Sequence, residues 1–254
     1  MMTLNRNQIK YIVIIAMVID HIAWAFVPTG TLLGQLMHFV GRLTGPTMAY
    51  FLAEGYLHTQ NIKQYAVRLG VFAVLSWGAF CFFEYGVLPI MIRPAGTVSR
   101  IGVALFTTSN HTVFLFPFFG VIYTLFLSLL AIWLWDKAPF LVWGRLAGVL
   151  LLCLLSRWGD WSYFGVLYAF TFFVLRNEPK WKWTAFSLIT ACIVLLPLLM
   201  QRWTLLFQSG IFLVPLLLSR YNGESGSKAP VHKWFFYAFY PAHLMILGIL
   251  RWLI

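Results

Sequence analysis

Asp20 and His21 stand side by side inside residues 9–27, IKYIVIIAMVIDHIAWAFV, an apolar run long enough to cross a bilayer. An ionised aspartate near the centre of such a helix costs about 2.5–3.5 kcal/mol, so a chain that keeps one gives it a partner or a task. An imidazole, with an ordinary pKa of about 6.5, accepts and returns a proton at neutral pH, which suits a general base in acyl transfer. Consecutive helical side chains point about 100° apart, so Asp20 and His21 do not face each other. Arg42 is the first candidate partner for Asp20. It stands in HFVGRLTGPTMAYF, where Gly41 and Gly45 permit close approach and Pro46 lacks a backbone donor. A planar, permanently charged donor there suits a carboxylate, a phosphate or a developing oxyanion. In YAFYPAHLMIL, Pro241 interrupts the ladder while Tyr240 and His243 share a face, three residues apart, as a cavity wall would require.

The elements that must position these groups are membrane helices. The chain has 254 residues, 61% hydrophobic and 10% charged, against about 45–50% apolar and 25% charged in soluble domains. Apolar windows near 9–27, 37–57, 66–88, 111–135, 139–156, 161–176, 182–201, 204–219 and 232–252 predict an all-α polytopic bundle of about nine transmembrane helices. Residues 1–254 read as a single domain, and the sequence leaves open whether 97–110 is a re-entrant piece. The net charge of +11 comes from Lys and Arg in short connectors. Their bias predicts the N-terminus inside and the C-terminus outside, and argues against nucleic acid as a partner. Trp24, Trp77, Trp158, Trp161, Trp181, Trp183 and Trp203 fall near span ends, as an interfacial belt would. The polar segment 221–230, YNGESGSKAP, reads as a flexible loop. Cys81, Cys153 and Cys192 have no metal-ligand spacing, and no metal is expected.

Depth sorts the polar groups into two sets. His21 lies roughly 18 Å along its helix, and His243 about as far along the last one. With Asp20, His38, Arg42, Glu84, Asn110, His111 and Asp160 they predict a chamber in the outer half of the membrane, since ionisable groups avoid lipid. Glu54, His58 and Lys63, with Arg68 nearby, form a smaller set at the inner end. Glu54 and His58 lie four apart on one face.

Five segments carry a resemblance: IAMVIDHIAWAF (15–26), FVGRLTGPTMAYFLAEGYLHTQN (39–61), SNHTVFLFPFFG (109–120), GDWSYFGVL (159–167) and FFYAFYPAHLMILG (235–248). They resemble the TraX family of membrane proteins associated with acetylation of conjugative pilin. That family is distantly similar to multispan acyltransferases. The resemblance implies a multi-pass protein of the bacterial inner membrane that moves an acetyl group from cytosolic acetyl-CoA to an outer acceptor. The acceptor would be a pilin-like amine or an envelope glycan. His21 would be the base, Arg42 or Asn110 the oxyanion donor, and Asp20 the group that holds Arg42. Lys63 and Arg68, with Glu54 and His58 beside them, would receive CoA, and Tyr240, His243 and Asp160 would line the acceptor cavity. The alternatives are a small-anion or proton pathway through the same residues, or an assembly partner in pilus or envelope biogenesis without a site.

Overall fold

The computed structural model describes residues 3–97, 99, 100 and 102–253. The side chain of Lys233, expected among the inner cations, lies outside the described residues, as do residues 98 and 101 of the 97–110 segment. α1 (Arg6–Phe26) opens on a capping box in which Gln8 N–H donates to Asn5 Oδ1 at 3.0 Å and Asn5 N–H to Gln8 Oε1 at 2.9 Å. Its 21 residues span about 31 Å, the thickness of a hydrocarbon core. α2 (Leu32–Gly41) and α3 (Thr44–His58) follow where one span at 37–57 is expected. α4 (Ile62–Tyr85) ends at Gly86, whose φ of 64° is left-handed.

The chain then departs from the all-α expectation. β1 (Ile90–Pro94), β2 (Val103–Thr107) and β3 (His111–Leu115) form an antiparallel sheet in the order β1-β3-β2. This replaces both a re-entrant piece at 97–110 and the start of the span expected at 111–135. The reason is local: Thr112, Val113 and Phe114 are strand formers, and alternation buries Thr112 and Phe114 while their neighbours stay more open. An apolar window counts such residues without registering their period of two.

α5 (Val121–Lys137), α6 (Val142–Leu155), α7 (Ser162–Val174) and α8 (Pro179–Leu199) continue the bundle. The window expected at 204–219 is a 3₁₀ helix, Trp203–Phe212, running into α9 (Leu213–Leu218). A 3₁₀ winding rises about 2.0 Å per residue, so this short segment covers about 29 Å, nearly the length of α1. α10 (Pro230–Leu253) closes the chain and packs most extensively on α4. Among the described residues, α1, α4, α8 and α10 are long and apolar enough to cross a membrane.

α3, α5 and α7 meet in a core that buries Leu129, Ile132, Tyr168 and Ala169 completely. Tyr168 shares its hydroxyl with Thr190 of α8 at 2.8 Å. Leu150, Leu151, Leu154, Val67, Val74 and Leu188 point outward, an exposure that suits lipid contact.

The proximal end, where α1 begins, is tied by Tyr56 donating to Asp136 (2.7 Å) and by a bridge from Leu4 to Tyr221. The segment expected to be flexible is therefore pinned. Leu4 N–H donates to Arg220 O, Arg6 N–H to Glu224 O and Asn7 Nδ2 to Ser227 O. Arg145 is held as well, donating to the carbonyls of Trp135 and Phe140 at 3.0 Å each. Trp158, Trp181 and Trp203 are exposed as belt residues would be, but Trp24, Trp77 and Trp161 pack inside.

The 3₁₀ helix presses on α2 so closely that a Cβ on Gly210 would lie 2.0 Å from the Phe39 carbonyl oxygen. Gly210→Ala should therefore destabilise the purified protein by about 1–3 kcal/mol, read as a lowered thermal midpoint in detergent.

Candidate functional site

Pro46 sets the geometry of the site. It has no N–H to give to the carbonyl of Arg42, and its ring crowds that carbonyl, so the helical ladder opens between α2 and α3. Arg42, at this junction, faces α1. Its Nη2 donates to Asp20 Oδ2, while His38 Nδ1, one turn earlier on α2, donates to Asp20 Oδ1 at 2.8 Å. The expected pairing of Asp20 with Arg42 is present, and His38 joins it. Gly41 allows this closeness, because a Cβ there would lie 2.3 Å from that of Asp20. Thr44 Oγ1 donates to the Val13 carbonyl at 2.9 Å, tying the start of α3 to α1.

Two aromatic rings flank Arg42. Its guanidinium lies 5.2 Å from the Trp161 ring and 5.4 Å from that of Phe207, within cation–π range. Its Nε is buried without a partner among the described residues. Trp161 comes from a turn in which both it (φ 66°) and Ser162 (φ 45°) adopt left-handed backbone, which costs non-glycine residues about 1–3 kcal/mol each. That turn is anchored: Asp160 N–H donates to Phe119 O at 2.7 Å, Thr124 Oγ1 to the Asp160 carbonyl, and Trp161 N–H to Asp160 Oδ1 at 2.9 Å.

These groups surround a chamber of about 140 Å³ lined by Asp20, His21, Arg42, Glu84, Asp160 and Tyr240, with Met17, Trp24, Gly41, Thr44, Phe80, Val121 and Trp161. Arg42, Glu84, Asp160, Phe80 and Trp161 also line a wider cavity of about 590 Å³, so the chamber opens toward the distal end. Tyr240 Oη accepts from the Val121 N–H at 3.1 Å, serving the open N-terminus of α5.

Not every expected residue joins. Asn110 and His111 are exposed at the β2–β3 turn, away from the chamber, because 111–115 is strand rather than helix. His243 does not line the chamber; it lies behind His21, ring centroids 4.9 Å apart. His38 was grouped with the outer set by depth alone, yet it is fully buried on Asp20 between Trp24 and Phe207. Its spacing of four from Arg42 is the signal that could have singled it out.

A second cavity, about 460 Å³, occupies the proximal end. Arg6, Lys10, Arg68, Lys228, His58 and His232 line it, with Tyr65, Phe236 and Tyr237. Lys63 is exposed and does not line it. Glu54 also stands apart, accepting from the Tyr221 hydroxyl at 2.6 Å and facing Arg6 at 3.8 Å. Burial and that bond push the Tyr221 hydroxyl well above the ordinary phenol range, so it stays a donor. The two cavities share no lining residue among those described. Thr44 and Val121 border one, Met48 and Ile122 the other, one turn or less apart.

Comparison with known proteins bears on the whole of this arrangement. The family model described as TraX protein matches residues 5–95 and 96–251. The chain belongs to the TraX family. It is also similar to the "Probable fimbrial assembly protein FimC, serogroup H1" of Dichelobacter nodosus, 29% identical over 248 residues that cover 94% of this chain and 93% of that protein. No solved structure matches the TraX-family chain. Both halves of the family match run through the chamber, the first with Asp20, His21 and Arg42, the second with Asp160 and Tyr240.

Removing the Asp20 charge leaves Arg42 buried without its counter-ion, which typically costs about 3–5 kcal/mol. Asp20→Asn should lower stability on that scale. Asp20→Asn with Arg42→Gln should cost less than the two single changes together, measured by a double-mutant cycle of chemical denaturation in detergent.

Proposed function

We propose that this TraX-family membrane protein is an acetyl-CoA-dependent acyltransferase that works across the bilayer, with its proximal end in the cytoplasm and its chamber in the outer half of the membrane. The observation that carries the reading is the pairing of two unlike cavities whose linings come within one helical turn of each other. The proximal one is cationic and aromatic, suited to phosphates and an adenine ring. The distal one holds an imidazole and a guanidinium. Arg6, Lys10, Arg68 and Lys228 supply the phosphate-binding charge, the last of these from the pinned segment itself. The pantetheine arm would pass Met48 and Ile122 to bring the thioester beside His21.

There the acceptor X–H attacks the carbonyl carbon. The X–C bond forms, the X proton moves to His21 Nε2, and the C–S bond breaks. The thiolate leaves and recovers that proton as CoA–SH. Arg42, oriented by Asp20 and by the Trp161 and Phe207 rings, offers its unpartnered Nε–H to the developing oxyanion. His38 holds the second oxygen of Asp20 and so keeps Arg42 aimed. Asn110 has no part in this scheme. The acceptor enters from the distal cavity, where Glu84, Asp160 and Trp161 border the opening. An amine of a pilin-like protein or a hydroxyl of an envelope glycan satisfies the chemistry. The TraX match and the fimbrial-assembly name of the relative favour a pilus-related acceptor in a bacterial inner membrane.

The second reading is an assembly partner in fimbrial biogenesis without catalysis, favoured by that relative's printed name. Acetyl transfer separates the two. Purified protein incubated with radiolabelled acetyl-CoA and a pilin-like peptide or envelope glycan should move label to the acceptor. His21→Ala should lower the rate by about 10²–10⁴-fold while leaving the fold intact. Arg68→Glu should weaken acetyl-CoA binding in a salt-dependent way without changing the chamber. Undiminished transfer by His21→Ala would end the mechanism; assembly activity surviving triple substitution of Asp20, His21 and Arg42 would favour the partner reading.

A further inference from the structure

His21 and His243 make a hydrogen-bonded pair of imidazoles. Nε2 of His243 lies 3.2 Å from Nδ1 of His21, and the rings are tilted 65° to each other. Each Nδ1 also faces a backbone carbonyl one turn back on its own helix: His21 that of Met17 at 2.9 Å, His243 that of Phe239 at 3.0 Å. A carbonyl oxygen can only accept, so both Nδ1 atoms carry hydrogen. His243 Nε2 is then left with a lone pair, and it shares the proton that His21 Nδ1 gives to Met17. The opposite tautomers would set lone pair against lone pair at both carbonyls.

Packing holds both rings in this arrangement. Phe239 stacks on His243 with an interplanar angle of 9°, and Phe83 meets the His21 ring edge-on at 5.4 Å. The hydrogen bonds of His21 among the described residues both use Nδ1, and His21 lines the chamber while His243 does not. The free lone pair of His21 is therefore the one available to a substrate proton.

We propose that His243 is a positioning residue for His21: it holds the tautomer whose Nε2 is basic, and it accepts from the imidazolium that forms when Nε2 is protonated. The role in transfer rests on the acyltransferase reading; the proton map does not. When the X–H bond breaks and the Nε2–H bond forms, positive charge spreads over the His21 ring and strengthens its Nδ1–H bond to His243. Return of the Nε2 proton to the leaving sulfur restores the starting state. Asp20, Arg42, Glu84, Asp160 and Tyr240 also line the chamber and share its field, so the His243 contribution must be isolated by substitution.

The experiment is nitrogen NMR of histidine-labelled protein in nanodiscs, for the wild type, His243→Gln and His243→Leu. The wild type should show hydrogen on Nδ1 of His21 and a scalar coupling across the hydrogen bond to Nε2 of His243. His243→Leu should lose the coupling and lower the proton affinity of His21 by about tenfold, as loss of a charge-assisted bond does. His243→Gln, whose amide oxygen can accept in the same place, should restore most of that affinity. In the transfer assay the pH profile should move with the His21 titration in each variant. A wild type with His21 protonated on Nε2, or a folded His243→Leu with unchanged His21 titration, overturns the proposal. If His243→Leu does not fold, the wild-type coupling and His243→Gln decide it. A correct proton map without transfer to any acceptor would instead defeat the acyltransferase reading and leave the pair as described.

Discussion

A carboxylate deep in the bundle is the constraint on which the site depends. Asp20 has each oxygen engaged by a different residue of the next segment, Arg42 on one and His38 on the other. The break imposed by Pro46 and the missing side chain of Gly41 bring the backbone of α2 against α1. The carboxylate in turn removes the isolated charge that a guanidinium would otherwise carry into an apolar interior. Asp20 therefore serves both as the clamp between α1 and the α2–α3 break and as the group that aims Arg42.

The second constraint is the small gap between the cavities. Thr44 and Met48 lie one turn apart on α3, and Val121 and Ile122 are consecutive on α5. A layer this thin keeps the two cavities distinct while their contents remain close. The bonds around it are dense on the distal side, where Tyr240, Phe119 and Thr124 bind the start of α5 to α10 and to the Asp160 turn.

The legible features were those set by local rules. An aspartate and an arginine in apolar runs required a partner, and they found each other. Helical spacing put Tyr240 and His243 on one side of α10, and both meet the neighbourhood of His21. Depth counting also brought Asp160 and Glu84 to the right level. It failed for Asn110 and His111, because counting along a presumed helix has no meaning once the segment is strand. It put Lys63 and Glu54 at the proximal end, where they lie, but a helical end has both an open and an inward side: Lys63 is exposed and Glu54 is taken by Tyr221, so neither lines the cavity there. The window at 204–219 coincides with an apolar helical segment, but hydropathy records how apolar a segment is and not how tightly it is wound.

The sequence alone determined that the chain is a membrane-embedded helical protein with ionisable groups its interior must accommodate, because the transfer energy of each side chain is a local property. Tertiary structure decided which nitrogen of His21 is free, that His38 joins Arg42 on Asp20 while Asn110 lies outside the chamber, and which cations share a cavity. Those outcomes depend on distances between helices far apart in the chain, where a shift of one or two ångströms separates a hydrogen bond from none.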